Sequence, residues 1–126
     1  MGIKILILTL LLTYTHSEKE MTIFENLNKY RQSKGLNSLI LVEEVSEICN
    51  GHNVYMISAN RLSHDNFEKR IRGIKYSKIS ENVSRFYSNP IEAWRNSEGH
   101  RINMEGDFNY CGIAEKDGYV TLILFR

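Results

Sequence analysis

The last part of the chain constrains the fold most. Tyr110–Ala114 and Tyr119–Phe125 are apolar runs rich in β-branched and aromatic residues, and Glu115-Lys116-Asp117-Gly118 separates them. Asp-Gly at the tip of such a pair marks a tight hairpin, because both turn positions need positive φ. The chain therefore ends in antiparallel β-structure. Earlier segments have helical spacing instead. Ile23, Phe24, Leu27 and Tyr30 line one face of a helix over Met21–Lys34, and Gly35 stops it. Leu36, Leu39 and Leu41 read as a connection. Leu41, Val45, Ile48, Cys49, His52, Tyr55 and Met56 then form a second helical stripe, with Glu43, Glu44, Glu47 and Asn50 turned away. Ser63-His64-Asp65-Asn66 is turn or cap chemistry that opens a short helix through Arg72, ended at Gly73. Pro90 opens another short helix through Asn96. Helices first and a hairpin last predict an α+β fold with an antiparallel sheet, since alternating βαβ units are lacking.

With 126 residues, 42% of them hydrophobic and 25% charged, the chain has enough apolar surface for one core. Nothing in it reads as a repeat, a linker or a second domain. Cys49 and Cys111 lack C-x-x-C spacing, which excludes a zinc ribbon or a thioredoxin-like motif. Their apolar neighbours favour two buried thiols, although export would permit a disulfide.

The first residues differ from the rest. Lys4 precedes an apolar run, Ile5–Leu12, and Thr15-His16-Ser17 follows as a small-residue exit. The run is too short to span a bilayer and fits a secretory signal peptide over residues 1–17, leaving one domain at 18–126. The expected location is secreted, extracellular or periplasmic, with membrane contact only through that segment. Cleavage removes one base and no acid, so the mature part carries equal numbers of both. A neutral domain has no general pull toward nucleic acid. The local run Lys69, Arg70, Arg72, Lys75 and Lys78 reads as a solvated face, because no aromatic platform interleaves it.

Chemistry is concentrated in three places: Leu62–Phe67 with His64, Ile79–Val83 with Glu81, and Trp94–Asn103 with His100. His64 and His100 are flanked by polar, serine or glycine residues and read as loop residues. Two imidazoles and a carboxylate suit a divalent first-row cation such as zinc, with His64 and His100 as ligands and Glu81 as ligand or general base. The competing reading is a hydrogen-bonded clasp that ties loops together. A nucleophilic hydrolase lacks support, since there is no Gly-x-Ser-x-Gly elbow and no activated cysteine. His52, on an apolar stripe, reads as a core residue, and Trp94 as a packing anchor. Asn28 and Arg31 are placed to bond loops across the domain.

These residues carry a family resemblance. Leu27-Asn28-Lys29-Tyr30-Arg31 with Gly35-Leu36 and Leu39, Tyr55-Met56, Ser63-His64-x-x-Phe67, Glu81-Asn82, Trp94-x-x-Ser97-x-Gly99-His100-Arg101-x-Asn103, Gly112-Ile113-Ala114 and Tyr119-x-Thr121 occur in this order. In this the chain resembles the CAP superfamily, the cysteine-rich secretory, antigen 5 and pathogenesis-related proteins, and in particular its short, cysteine-poor, bacterial-type SCP-like branch. The resemblance implies a secreted three-layer α-β-α sandwich with a small antiparallel sheet. It also implies a cleft in which two histidines and acidic residues gather and, in some members, hold zinc or another divalent cation. By position these residues are His64, Glu81 and His100. Larger members have a second glutamate where this chain has Ser97, which leaves three cleft residues unless Glu98 turns inward. The expected function is a secreted binding or interaction protein whose cleft suits a divalent cation or small ligand, its partner an unidentified small molecule, lipid or protein, with no established catalysis. The alternatives are a peptidase-like, metal-assisted hydrolase using His64, His100 and Glu81, and a purely structural polar cluster in an interaction domain.

Overall fold

A computed structural model describes residues 14–126. Most of the expected signal segment, residues 1–13, lies outside the described residues. The elements in chain order are α1 (Glu18–Ser33), β1 (Ile40–Leu41), α2 (Glu43–Ala59), α3 (Phe67–Arg70), β2 (Ile79–Arg85), α4 (Pro90–Arg95), α5 (Glu98–Met104), β3 (Tyr110–Lys116) and β4 (Tyr119–Phe125). The strands form one sheet in the order β1-β3-β4-β2. The β3–β4 and β4–β2 pairs are antiparallel. The two-residue β1 lies parallel to β3, so the expected antiparallel sheet carries one short parallel edge.

Strand β4 is buried along its whole length. Because successive strand side chains point to opposite faces, such a strand needs cover on both sides. Val120, Leu122 and Leu124 pack with Cys111 and Ile113 against Ile23 and Leu27 of α1, Ile91 and Trp94 of α4, and Met104 of α5. Ile123 and Phe125 pack with Ala114 against Val45 and Cys49 of α2, and Ile71 beyond α3. The result is the expected α-β-α sandwich. It also decides the cysteines: Cys49 and Cys111 belong to opposite layers, and both are free, buried thiols.

Local chemistry explains the ends of the elements. Asp117 and Gly118 both have positive φ, 47° and 84°, as a tight hairpin with right-handed twist requires. Ser17 caps α1: its side chain accepts from the Glu20 amide, while Glu20 accepts from the Ser17 amide. Glu20 also accepts from the Tyr14 hydroxyl at 2.5 Å and the Glu115 amide at 2.8 Å. His16 Nε2 lies 2.7 Å from Ser46 Oγ. Residues 14–17, assigned from sequence to the removable segment, are thus packed into the folded unit. Arg31 is fully buried in the α1 layer, and its guanidinium donates to the carbonyls of Asn37, Met104 and Gly106. Asn28 bonds both the amide and the carbonyl of Leu39. Both residues tie loops across the domain, as expected.

Helix α2 crosses β3 at Gly112, where a Cβ would stand 2.5 Å from the Val45 carbonyl carbon and 2.6 Å from the Ser46 nitrogen. Neither backbone atom can swing aside. Gly112→Ala is expected to lower stability by about 1–3 kcal/mol through overpacking, read as a lower denaturation midpoint with unchanged slope. A wild-type midpoint would show that α2 can move away freely.

Candidate functional site

The site forms where the two helical layers meet the outer strand. β2 is an edge strand, and Glu81 and Asn82 are successive residues on it, paired with Ile123 and Leu122. They therefore point to opposite faces. Glu81 faces the α2–α3 layer and Asn82 faces the α4–α5 layer. Each is met by one of the predicted histidine segments.

On the first face, Glu81 is 7% exposed and accepts from three donors. His64 Nδ1 donates to Oε1 at 2.9 Å. Arg70 grips both oxygens, with Nη1 to Oε2 at 2.5 Å and Nη2 to Oε1 at 2.9 Å. Such a fork-to-fork pair is the strong form of a charge-assisted bond. The guanidinium is itself braced. Its Nε donates to the Asp65 carbonyl at 3.1 Å, and it stacks over Phe67 with 5.6 Å to the ring centroid. Asn66, at φ 61°, makes the sharp turn that starts α3 and brings both residues round to β2.

On the second face, Asn82 Nδ2 donates to the His100 carbonyl at 3.0 Å, and Asn103 Nδ2 donates to Asn82 Oδ1 at 2.9 Å. Trp94 Nε1 donates to the Val83 carbonyl at 3.1 Å, so the tryptophan anchors α4 to β2 as well as filling the core. His100, expected in a loop, lies within α5, because Ser97 starts a helix that exposed Gly99 does not break. Ser97 leaves the helix end uncapped by its side chain, and its Oγ sits 2.8 Å from His100 Nδ1. Glu98 is exposed on the first turn and does not turn inward.

His64 and His100 thus approach one strand edge from opposite layers. Each is held from behind through Nδ1. Burial pushes His100 below the usual imidazole range, and the nearby His64 adds to this. His52 is lowered too, chiefly by burial, and its Nε2–H donates to the Ser63 carbonyl at 2.7 Å. That bond holds the loop carrying His64, so His52 is a positioning residue in the core. Beside it, a cavity of about 340 Å³ opens between α2 and this loop, lined by His52, Tyr55, Asp65, Lys69 and Arg70.

The donor set bears on the cation expected from the resemblance. Both Glu81 oxygens are engaged by a guanidinium, and among the described residues no three His, Cys, Asp or Glu side chains are grouped to hold a metal ion. The arrangement does not fit a three-ligand centre. Sequence reasoning missed Arg70 as a site residue because it sits in a basic run. The available signal was its position one helical turn after Phe67, in the same segment as His64.

No family model matches the chain. It is 30% identical over 115 residues to the uncharacterised protein YkwD of Bacillus subtilis, which covers 82% of this chain and 43% of that protein. An extracellular protein of Bacillus anthracis containing an SCP domain superposes with a TM-score of 0.80 at 26% identity, over 86% of this chain and 40% of that one. A cysteine-rich secretory protein of Staphylococcus aureus gives 0.78 at 20% identity, over 85% and 38%. An outer surface protein of Borrelia burgdorferi gives 0.79 at 15% identity, over 91% and 97%. The chain therefore spans less than half the length of three of these proteins and nearly all of the fourth.

The depressed imidazoles set a pH dependence. A histidine lowered in the folded state contributes stability that is present above its unfolded value of about 6.5 and is lost as pH falls through the folded value. The denaturation midpoint is expected to drop on acidification below about pH 6.5. By NMR, His100 should titrate below that value, and higher in His64→Ala. An unchanged His100 titration in that variant would show that the two rings do not sense one another.

Proposed function

Because this chain belongs to the CAP superfamily, in its SCP-like branch, we propose that it is an exported binding domain whose β2-edge cleft takes a small polar ligand between His64 and His100, without hydrolysis. One observation carries this reading. Each imidazole is oriented through Nδ1, by Glu81 and by Ser97, and neither Nε2 has a hydrogen-bond partner among the described residues. Two rings so fixed make a preorganised pair of polar contacts, which reduces the ordering cost of binding. His100, held toward its neutral form, keeps one ring nitrogen as an acceptor near neutral pH.

Hydrolysis would need a base within reach of a bound water. Glu81, the carboxylate of β2, has both oxygens on Arg70 and is nearly closed off from solvent. Its role is the clasp between the α3 segment and β2, and binding falls to the imidazoles. Export is supported by the extracellular and outer-surface descriptions of the structural neighbours. No helix among the described residues is long and apolar enough to cross a membrane.

The test is an NMR screen with polyols, amino sugars and dipeptides as probes. At least one class is expected to shift the ring resonances of both His64 and His100, with affinity falling about tenfold, one lost hydrogen bond's worth, in either alanine variant. Silence from all three classes would remove the binding reading. Ester or peptide turnover that disappears in Glu81→Gln would remove the non-catalytic one.

A further inference from the structure

We infer that Arg70 is the cleft's own cation: its guanidinium occupies the electrostatic place beside Glu81 that a divalent ion would otherwise take, and so closes the His64–Glu81–His100 edge to zinc. The inference is independent of the small-ligand reading above.

The argument starts from Glu81. A carboxylate this buried must be neutralised or protonated, and here an arginine neutralises it. Arginine stays charged at every accessible pH, so the pairing does not relax as a lysine's would. Both oxygens accept from it, and Oε1 also accepts from His64. A metal reaching Glu81 would have to displace a bidentate bond and then sit against the displaced positive charge. The guanidinium has little freedom to leave, because Asp65 holds its Nε and Phe67 covers its face. The Nδ1–H of His64 adds a third donor to Glu81 on the same side. Beside Glu81 the positive charge that a cation would bring is already supplied from within the chain.

The inference predicts a gain of function on loss of one residue. Arg70→Gln removes the charge and keeps a side chain of similar reach, leaving Glu81 as a carboxylate held by His64 alone. Isothermal titration of the chelator-treated protein with zinc alone should show no stoichiometric uptake by wild type. Arg70→Gln should bind zinc at least about 10–100-fold more tightly, the range by which groups contacting metal ligands shift affinity. Adding His64→Ala or Glu81→Gln to that variant should abolish the gain. Arg70→Lys, which keeps a cation at the site, should resemble wild type. If Arg70→Gln does not fold alone, circular dichroism in the presence of zinc becomes the readout, and recovery of the native spectrum is the expected result. Zinc uptake by wild type as tight as by Arg70→Gln would overturn the inference. So would a gain that survives loss of His64 and Glu81, or an unfolded Arg70→Gln that zinc does not rescue.

Discussion

The constraint on which the rest depends is the burial of β4 on both faces. A seven-residue strand without a solvent side can exist only between two covering layers, and the chain supplies them from helices that precede it in sequence. Once the layers are in place, the outermost long strand, β2, is where they can both reach the same backbone. Glu81 and Asn82 then report to different layers because they are neighbours in a strand. The site is a seam, and its position follows from sheet order before any of its chemistry is considered.

Three buried charged groups, Arg31, Glu20 and Glu81, hold that seam and its supports, each through several partners. Arg31 finds carbonyls at the end of α5 and in the loop after it, Glu20 collects three donors, and Glu81 collects three. Each of these groups would be costly without its partners. Each also joins segments far apart in the chain. Arg31 fixes the path from α5 into β3, so the helix carrying His100 is steadied from its far end by a residue of α1.

Much of the fold was legible in the sequence. The apolar run Tyr119–Phe125 with Asp117-Gly118 before it marked the hairpin, and the stripe of Val45, Cys49, His52 and Met56 marked α2. Both signals are local, and local signals survive without tertiary information. Strand β2 was harder, because Ile79–Arg85 has polar residues on both faces, each answered by a different layer. His100 was placed in a loop since Gly99 weakens a helix, yet Asn82 of β2 pins α5 from outside, donating to the His100 carbonyl and accepting from Asn103. The site trio was legible as residues. Their division was not: Arg70 is indistinguishable by composition from its exposed neighbours in the basic run, and only the turn at Asn66 and the register of β2 bring it to Glu81.

The covering of β2 has a further consequence. Carbonyls at alternate positions of an edge strand are a ready template for strand addition by another chain. Here the Glu81 carbonyl accepts from Asn103 and the Val83 carbonyl from Trp94, both side chains of the covering helices. The opposite edge is only the two residues of β1. The same motif that builds the cleft therefore shields the sheet from intermolecular pairing and fibril growth, a hazard for any protein that must stay dispersed at high local concentration.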